Sequence, residues 1–290
     1  MIGCGDIALR AARLLSPKFR LYGLTRNSDQ YPMLRAAGIT PIAGDLDHPR
    51  TLARLHLSPY AVLHCAPPPA SGDDDTRTRN LIASLAAARS LPRRIVYIST
   101  SGIYGDAGGA WIDETHPADP LTARARRRVA AEARLRRLAT SGSRMHSSSA
   151  ALSILRAPGI YSKERLPLDR LRKRVPALND RDDVYTNHVH ADDLARACIA
   201  AMFRGKPQRA YNISDDAGWK MGEYFDRVAD AFGLPRPPRI GADEADRLLP
   251  ALQRSFMNES RRLSNARAKR ELRWRPVYAT PAALLDSIAP

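Results

Sequence analysis

Two short stretches carry residue types that can do chemistry. "IGCGDIAL" places Gly3, Gly5 and Ala8 in a G-x-G-x-x-G/A pattern. Side-chain-free positions let backbone amides approach a pyrophosphate, the first turn of the following helix meets its charge, and a small third residue lets that helix pack on a sheet. Asp6 and Ile7 lie inside the same loop, Asp6 as a candidate helix cap whose charge works against a nearby pyrophosphate. "LTARARRRVAAE" crowds Arg124, Arg126, Arg127 and Arg128 at the start of a helix-like segment. It reads either as a grip for nucleic acid or as an altered catalytic segment.

A dinucleotide loop needs a wound parallel sheet to position it, and the chain supplies the rhythm. Apolar runs at 20–24, 40–44, 60–65, 93–99 and 151–157 alternate with Ala/Leu/Arg-rich segments of helical period, such as 6–15 and 74–90. Parallel strands need such crossover connections. Only Met1 and Ile2 precede Gly3, whereas a buried strand normally runs about five residues. The first strand is therefore expected to be clipped, or the natural start to lie upstream. The Ser-rich tract 140–150 reads as a loop. Beyond residue 158 Pro-punctuated segments give way to one more helix and strand (186–213), then to helices near 220–232, 261–272 and 281–288 with no strands between them. The expected fold is α/β: a Rossmann-type doubly wound parallel sheet (1–158, with 186–213 returning to it) and a smaller, mostly helical lobe (159–290).

Bulk properties restrict the partners. Arginine supplies 40 of the 46 basic residues behind a net charge of +16, and these are scattered over every segment. Such spread does not outline a polyanion footprint, so nucleic acid is not the expected partner. Cys4, Cys65 and Cys198 lack zinc or disulfide spacing, which predicts no metal and fits a reducing cytoplasm. No apolar run is long enough for a membrane span.

Roughly 20 residues past the loop an NAD enzyme would carry an acid for the ribose hydroxyls. Here the chain reads "GLTRNS", with Arg26 where a 2′-phosphate would lie, which favours NADP(H) over NAD. A solvated surface arginine is the rival reading. Asp45 and Leu46 of "GDLD" sit where an acid could take the adenine amino group or simply cap a helix.

"GCGDIA", "GDL", "YISTSGIYGD", "RAPGIY", "HADDLARA", "YNISDD" and "RRLSNARAKRELRWRP" occur in one order along the chain. In that order they resemble an extended short-chain dehydrogenase/reductase of the NAD-dependent epimerase/dehydratase family. The resemblance implies a Rossmann core, a C-terminal substrate lobe and a nicotinamide near Ser99 and the Pro158–Gly159–Ile160 turn, with Cys65, Ala66 and Pro67 also against the cofactor. It implies that Thr100 hydrogen-bonds the reacting oxygen, flanked by Ser99 and Ser101, although these hydroxyls could equally cap a turn.

The family's Tyr-x-x-x-Lys pair falls, by its small-small-Glu trailer, on Arg124 and Arg128. Arg128 can still hold the nicotinamide ribose, but a guanidinium at 124 cannot act as an acid. Tyr104, Tyr161, His188 and His190 are the remaining acid/base candidates. For the tyrosines the rival role is packing, and for His190 it is leading into a helix cap. "IYSKERLP" departs from the family's Gly-Pro-rich turn. The expected function is NADP(H)-dependent oxidoreduction or epimerisation of a small polar, sugar-nucleotide-like substrate, with a non-catalytic NADP(H) sensor as the alternative. Helices near 74–90 and 122–139 often pair subunits in the family, which makes a homodimer an expectation.

Overall fold

The apolar runs become the strands of a parallel sheet in a computed structural model, which describes residues 1–56, 59–87, 91–145 and 150–288. In chain order the core elements are α1 (Asp6–Leu15), β1 (Leu21–Thr25), α2 (Tyr31–Ala36), β2 (Ile39–Ala43), β3 (Ala61–His64), α3 (Thr76–Ala86) and β4 (Arg94–Thr100). They continue as β5 (Trp111–Ile112), α4 (Ala123–Met145), β6 (Ala151–Ala157), β7 (Gly159–Tyr161), α5 (Leu168–Arg172), β8 (Ala177–Leu178), β9 (His188–His190), α6 (Ala191–Arg204) and β10 (Arg209–Asn212). The remainder is α7 (Met221–Ala231), β11 (Arg239–Ile240), α8 (Ala242–Leu248), α9 (Ala251–Met257), β12 (Arg262–Leu263), α10 (Ala266–Glu271) and α11 (Pro281–Ile288).

β10, β6, β4 and β3 pair in that order, all parallel, and β1 pairs with β2. Ile2 joins the two groups through parallel bridges to Leu24 and His64. Its amide donates to the Leu63 carbonyl at 2.8 Å, its carbonyl accepts from Cys65, and the Met1 carbonyl accepts from Leu24. The first strand is thus reduced to a two-residue stitch at the centre of the sheet, in line with the short lead-in to Gly3.

Strand alternation decides what covers each face. Val96, Ile98 and Leu155 face a cluster containing Ile7, Ala11, Leu194 and Cys198 of α1 and α6. Ile95, Tyr97, Leu152 and Ile154 point the other way, onto Ala131 and Leu135 of α4. Ala268, Leu272 and Trp274, from near the end of the chain, bury in the first of these clusters. A separate apolar cluster built on Tyr161, Leu171, Tyr224, Phe225 and Leu284 forms the smaller lobe.

Two expectations need correction. The Ser-rich tract does not begin a loop at residue 140, because α4 continues to Met145. The Thr140 hydroxyl bonds back to the carbonyls of Arg136 and Arg137 at 3.0 and 3.1 Å, so this polar side chain is satisfied inside the helix. Residues 146–149 of the tract lie outside the described residues, as do 88–90 of the segment expected to be helical over 74–90. The late helices are also not free of strands. β11 pairs with β8 and β12 with β5, but two-residue strands are too short to leave a periodic signal.

Candidate active site and cofactor cleft

The loop after Ile2 has the geometry its composition demands. Gly3 has φ +82°, and a Cβ there would lie 2.5 Å from the backbone of Ala66. A side chain is excluded both by the left-handed backbone and by the neighbouring strand end. A Cβ on Gly5 would meet nothing within 4 Å. Gly5 caps α1 without a side-chain hydrogen bond, which leaves the first-turn amides for a ligand. Ala8, fully buried, packs beneath.

These residues open onto a cavity of about 570 Å³. Gly3, Gly5, Asp6, Ile7 and Ala8 line one wall; Arg26, Asp45 and Leu46 line the end beyond β1 and β2. Cys65, Ala66 and Pro67 follow β3, and Arg128 and Ile160 close the far end. Ser99, Pro158 and Gly159, expected against the cofactor, do not line it. Thr25, Gln30, Arg77 and Arg165 do, and sequence reading missed them. Thr25 and Gln30 bond each other at 2.7 Å, whereas the arginines depend on partners remote in the chain: Arg77 grips Asp47, 30 residues away, at 2.8 and 2.7 Å, and Arg165 contacts Asp6.

Charge along the cavity is uneven. Asp6, awkward beside a diphosphate, is drawn along the helix by Arg10 Nε at 2.6 Å, and Arg10 also holds Asp192 at 2.6 Å. Arg26 has a 66% exposed side chain and lies 3.8 Å from Asp45 and 3.7 Å from Asp47. The hydrogen bonds from Arg77 hold the Asp47 carboxyl below its usual pKa. Arg128 donates to the Tyr97 hydroxyl at 3.0 Å and the Ile98 carbonyl at 2.9 Å, both neutral, so its positive charge faces the cavity without a carboxylate partner among the described residues. Burial pushes the Cys65 thiol up to about 12, which removes it as a nucleophile at neutral pH.

The acid/base candidates lie elsewhere. Thr100 is half-buried, caps the turn Ser101–Tyr104 by accepting from the Gly102 amide at 3.1 Å, and donates its own proton to no group among the described residues. Buried Ser99 donates to Glu132 at 2.6 Å. Tyr104 is fully buried; its hydroxyl donates to Asn212 at 2.7 Å and accepts from Arg156 at 2.9 Å, and burial pushes its pKa to about 12. Tyr161 is buried in the lobe, where burial raises its pKa.

His188 packs against Tyr224 with the rings tilted by 34° and their centroids 4.1 Å apart, and burial pulls its pKa down to about 4. His190 Nδ1 accepts from the Asp192 amide, capping α6, and the ring stacks on Tyr278. Thr100, Tyr104, Tyr161, His188 and His190 do not line the cavity.

The arginine cluster at the start of α4 is largely spent inside the protein. Arg126 bonds Asp73, Arg134 bonds Asp74 through both oxygens, and Arg127 is buried against the Gly72 carbonyl. Arg124 lies over the Phe256 ring at 4.5 Å. Among the described residues, no helix is long and apolar enough to cross a membrane.

Comparison with known proteins matches this architecture. A search of curated sequences gives no match. A functionally unknown conserved protein from Silicibacter pomeroyi is 30% identical, with TM-score 0.82 over 99% of this chain and 96% of that one. DesIV of Streptomyces venezuelae, a dTDP-glucose 4,6-dehydratase solved as a double mutant with NAD and DAU bound, is 20% identical, with TM-score 0.74 over 98% and 94% of the two chains. UDP-glucose 4-epimerase of Thermotoga maritima, solved with UDP-glucose, is 17% identical, with TM-score 0.75 over 95% and 92%. The sequence model of the NAD dependent epimerase/dehydratase family matches residues 9–214, from within α1 to just past the last core strand, and the chain belongs to that family.

Proposed function

We propose that the chain binds NADP(H) in the cavity and acts as an oxidoreductase or epimerase on a small polar substrate of sugar-nucleotide type, without the Tyr-x-x-x-Lys pair. The observation that carries this is the Gly3–Ala8 loop, whose uncapped helix start opens onto a cavity with Arg26 at one end, in loose ion pairs with Asp45 and Asp47, and Arg128 at the other, without a carboxylate partner among the described residues. The residues present fit the cofactor. Gly5 leaves room where the diphosphate would approach the α1 amides, Arg26 stands ready for a 2′-phosphate, and Arg128 is tethered at the nicotinamide end by Tyr97 and Ile98. The bound nicotinamide supplies the hydride donor or acceptor. Thr100, outside the cavity lining and donating no hydrogen bond among the described residues, would orient the reacting oxygen of a substrate held beyond that lining. The sugar-nucleotide substrate class rests on analogy with the epimerase and dehydratase relatives.

A second reading, an NADP(H)-binding sensor without turnover, is favoured by one specific observation: Tyr104 and His190 are committed to buried or capping hydrogen bonds. Titration with NADPH and NADH, followed by a panel of carbonyl compounds and nucleotide-sugars monitored by nicotinamide absorbance, separates the two. Binding with hydride transfer supports the enzyme; binding without transfer on any substrate supports the sensor.

A further inference from the structure

Four arginines line the cavity, and three have a defined place along it. Arg26 and Arg77 lie at the adenosine end, engaged with Asp45 and Asp47, and Arg128 at the other end is tied to Tyr97. The fourth is Arg165, at the end of the short turn Lys163–Arg165 that follows β7. It comes from the "SKERLP" segment that departs from the family pattern. Its guanidinium stands 3.4 Å from Asp6 Oδ2, beside the Gly5–Asp6 start of α1, with the side chain 42% exposed.

Both members of this contact are half-satisfied. Asp6 Oδ2 is buried and makes no hydrogen bond, and among the described residues the Arg165 guanidinium makes none either. Asp6 Oδ1 already belongs to Arg10, and Arg10 is held by Asp192 as well. Glu164 turns away from Arg165 toward the Ser162 hydroxyl at 2.8 Å. Arg165 therefore brings a planar fork of unspent donors to the mouth of the glycine loop, held only by a loose charge contact.

We infer that Arg165 is a clamp for the cofactor diphosphate, exchanging its contact with Asp6 for the phosphate oxygens when a dinucleotide binds; this rests on the cofactor reading above. Helix amides alone carry about half a positive charge toward a doubly charged diphosphate beside Asp6. A guanidinium supplies the missing charge and bonds phosphate in two-pronged geometry.

The test is calorimetric titration of the full-length protein with NADPH, NADH and ADP-ribose, using wild type, Arg165→Gln, Arg165→Lys and Arg26→Gln. The three ligands share the diphosphate, so Arg165→Gln is expected to weaken all of them by the same factor, about tenfold or more. Arg165→Lys recovers part of the loss, and Arg26→Gln weakens NADPH alone. An unchanged melting temperature for Arg165→Gln shows that the fold is intact. Equal binding by Arg165→Gln and wild type overturns the clamp and leaves the cofactor reading standing. A loss confined to NADPH overturns the assignment to the diphosphate. Failure of the wild type to bind any of the three overturns both.

Discussion

Glu132→Ala tests whether a single buried ion pair sets α4 against the sheet. Glu132 accepts from Arg156 at 2.9 and 3.3 Å and from the Ser99 hydroxyl at 2.6 Å, and the two charged side chains are only 6% and 9% exposed. Without Glu132, Arg156 keeps only neutral partners, the Tyr104 hydroxyl at 2.9 Å and the Glu114 carbonyl at 3.4 Å. Leaving one buried charge uncompensated costs about 3–5 kcal/mol, and orphaning the Ser99 hydroxyl falls within the same loss. At roughly 2–4 °C per kcal/mol for a chain of this class, the melting temperature should fall by about 10 °C.

Glu132→Gln, which keeps the shape and can still accept from Ser99, should lose about 1.5–3 kcal/mol. Glu132→Leu combined with Arg156→Met should recover most of the stability, since apolar replacement removes the stranded charge. Urea unfolding followed by fluorescence measures all three. α4 also carries Arg124 and Arg128, so cofactor affinity should fall in step. A loss under about 1 kcal/mol for Glu132→Ala would refute the reasoning, because it would mean that water reaches Arg156 freely.

The glycine loop separates folding from binding. Gly3→Ala, strained at φ +82° and driven into Ala66, should destabilise the protein by about 1–3 kcal/mol, whereas Gly5→Ala should leave the melting temperature unchanged and weaken dinucleotide binding, as read by parallel unfolding and titration. Arg26→Asp should reverse the preference from NADPH to NADH by about tenfold or more; retention of the NADPH preference would assign the 2′-phosphate contact elsewhere. His188 is buried neutral with a pKa near 4 against 6.5 in the unfolded chain, so its contribution to stability is complete above pH 6.5 and is lost as pH falls toward 4. Near pH 5 it should make stability fall by about 1 kcal/mol per pH unit, and His188→Gln should flatten the urea-midpoint profile by that amount.

What was legible in the sequence is what local chain chemistry dictates. The G-x-G-x-x-A turn, the wound order of strands and helices, and the position of Arg26 depend on neighbours a few residues away, and each appears where the spacing places it. Candidate catalytic groups are decided by distant partners. Tyr104 meets Asn212, 108 residues on, and the commitment of its hydroxyl cannot be read from "GIYG". His190 is a closer case: expected only to precede a cap made by Asp192 and Asp193, it turns its own ring nitrogen to the Asp192 amide and caps the helix itself. Arg77 and Arg165 carried no signal in a chain with 40 arginines, because only their folded neighbours distinguish them from solvated ones.

Trp274 has a consequence for how such a chain can diversify. Its indole donates to the Asp193 carbonyl, the Asp193 carboxylate accepts from the amides of Val277 and Tyr278, and Leu272 sits beside Val96 and Leu155 in the interior. The segment around Trp274 thus returns to the core sheet before the chain goes back to the smaller cluster, which holds Leu284 of α11. Exchange of everything downstream of a single crossover point would therefore strip the sheet of part of its own covering.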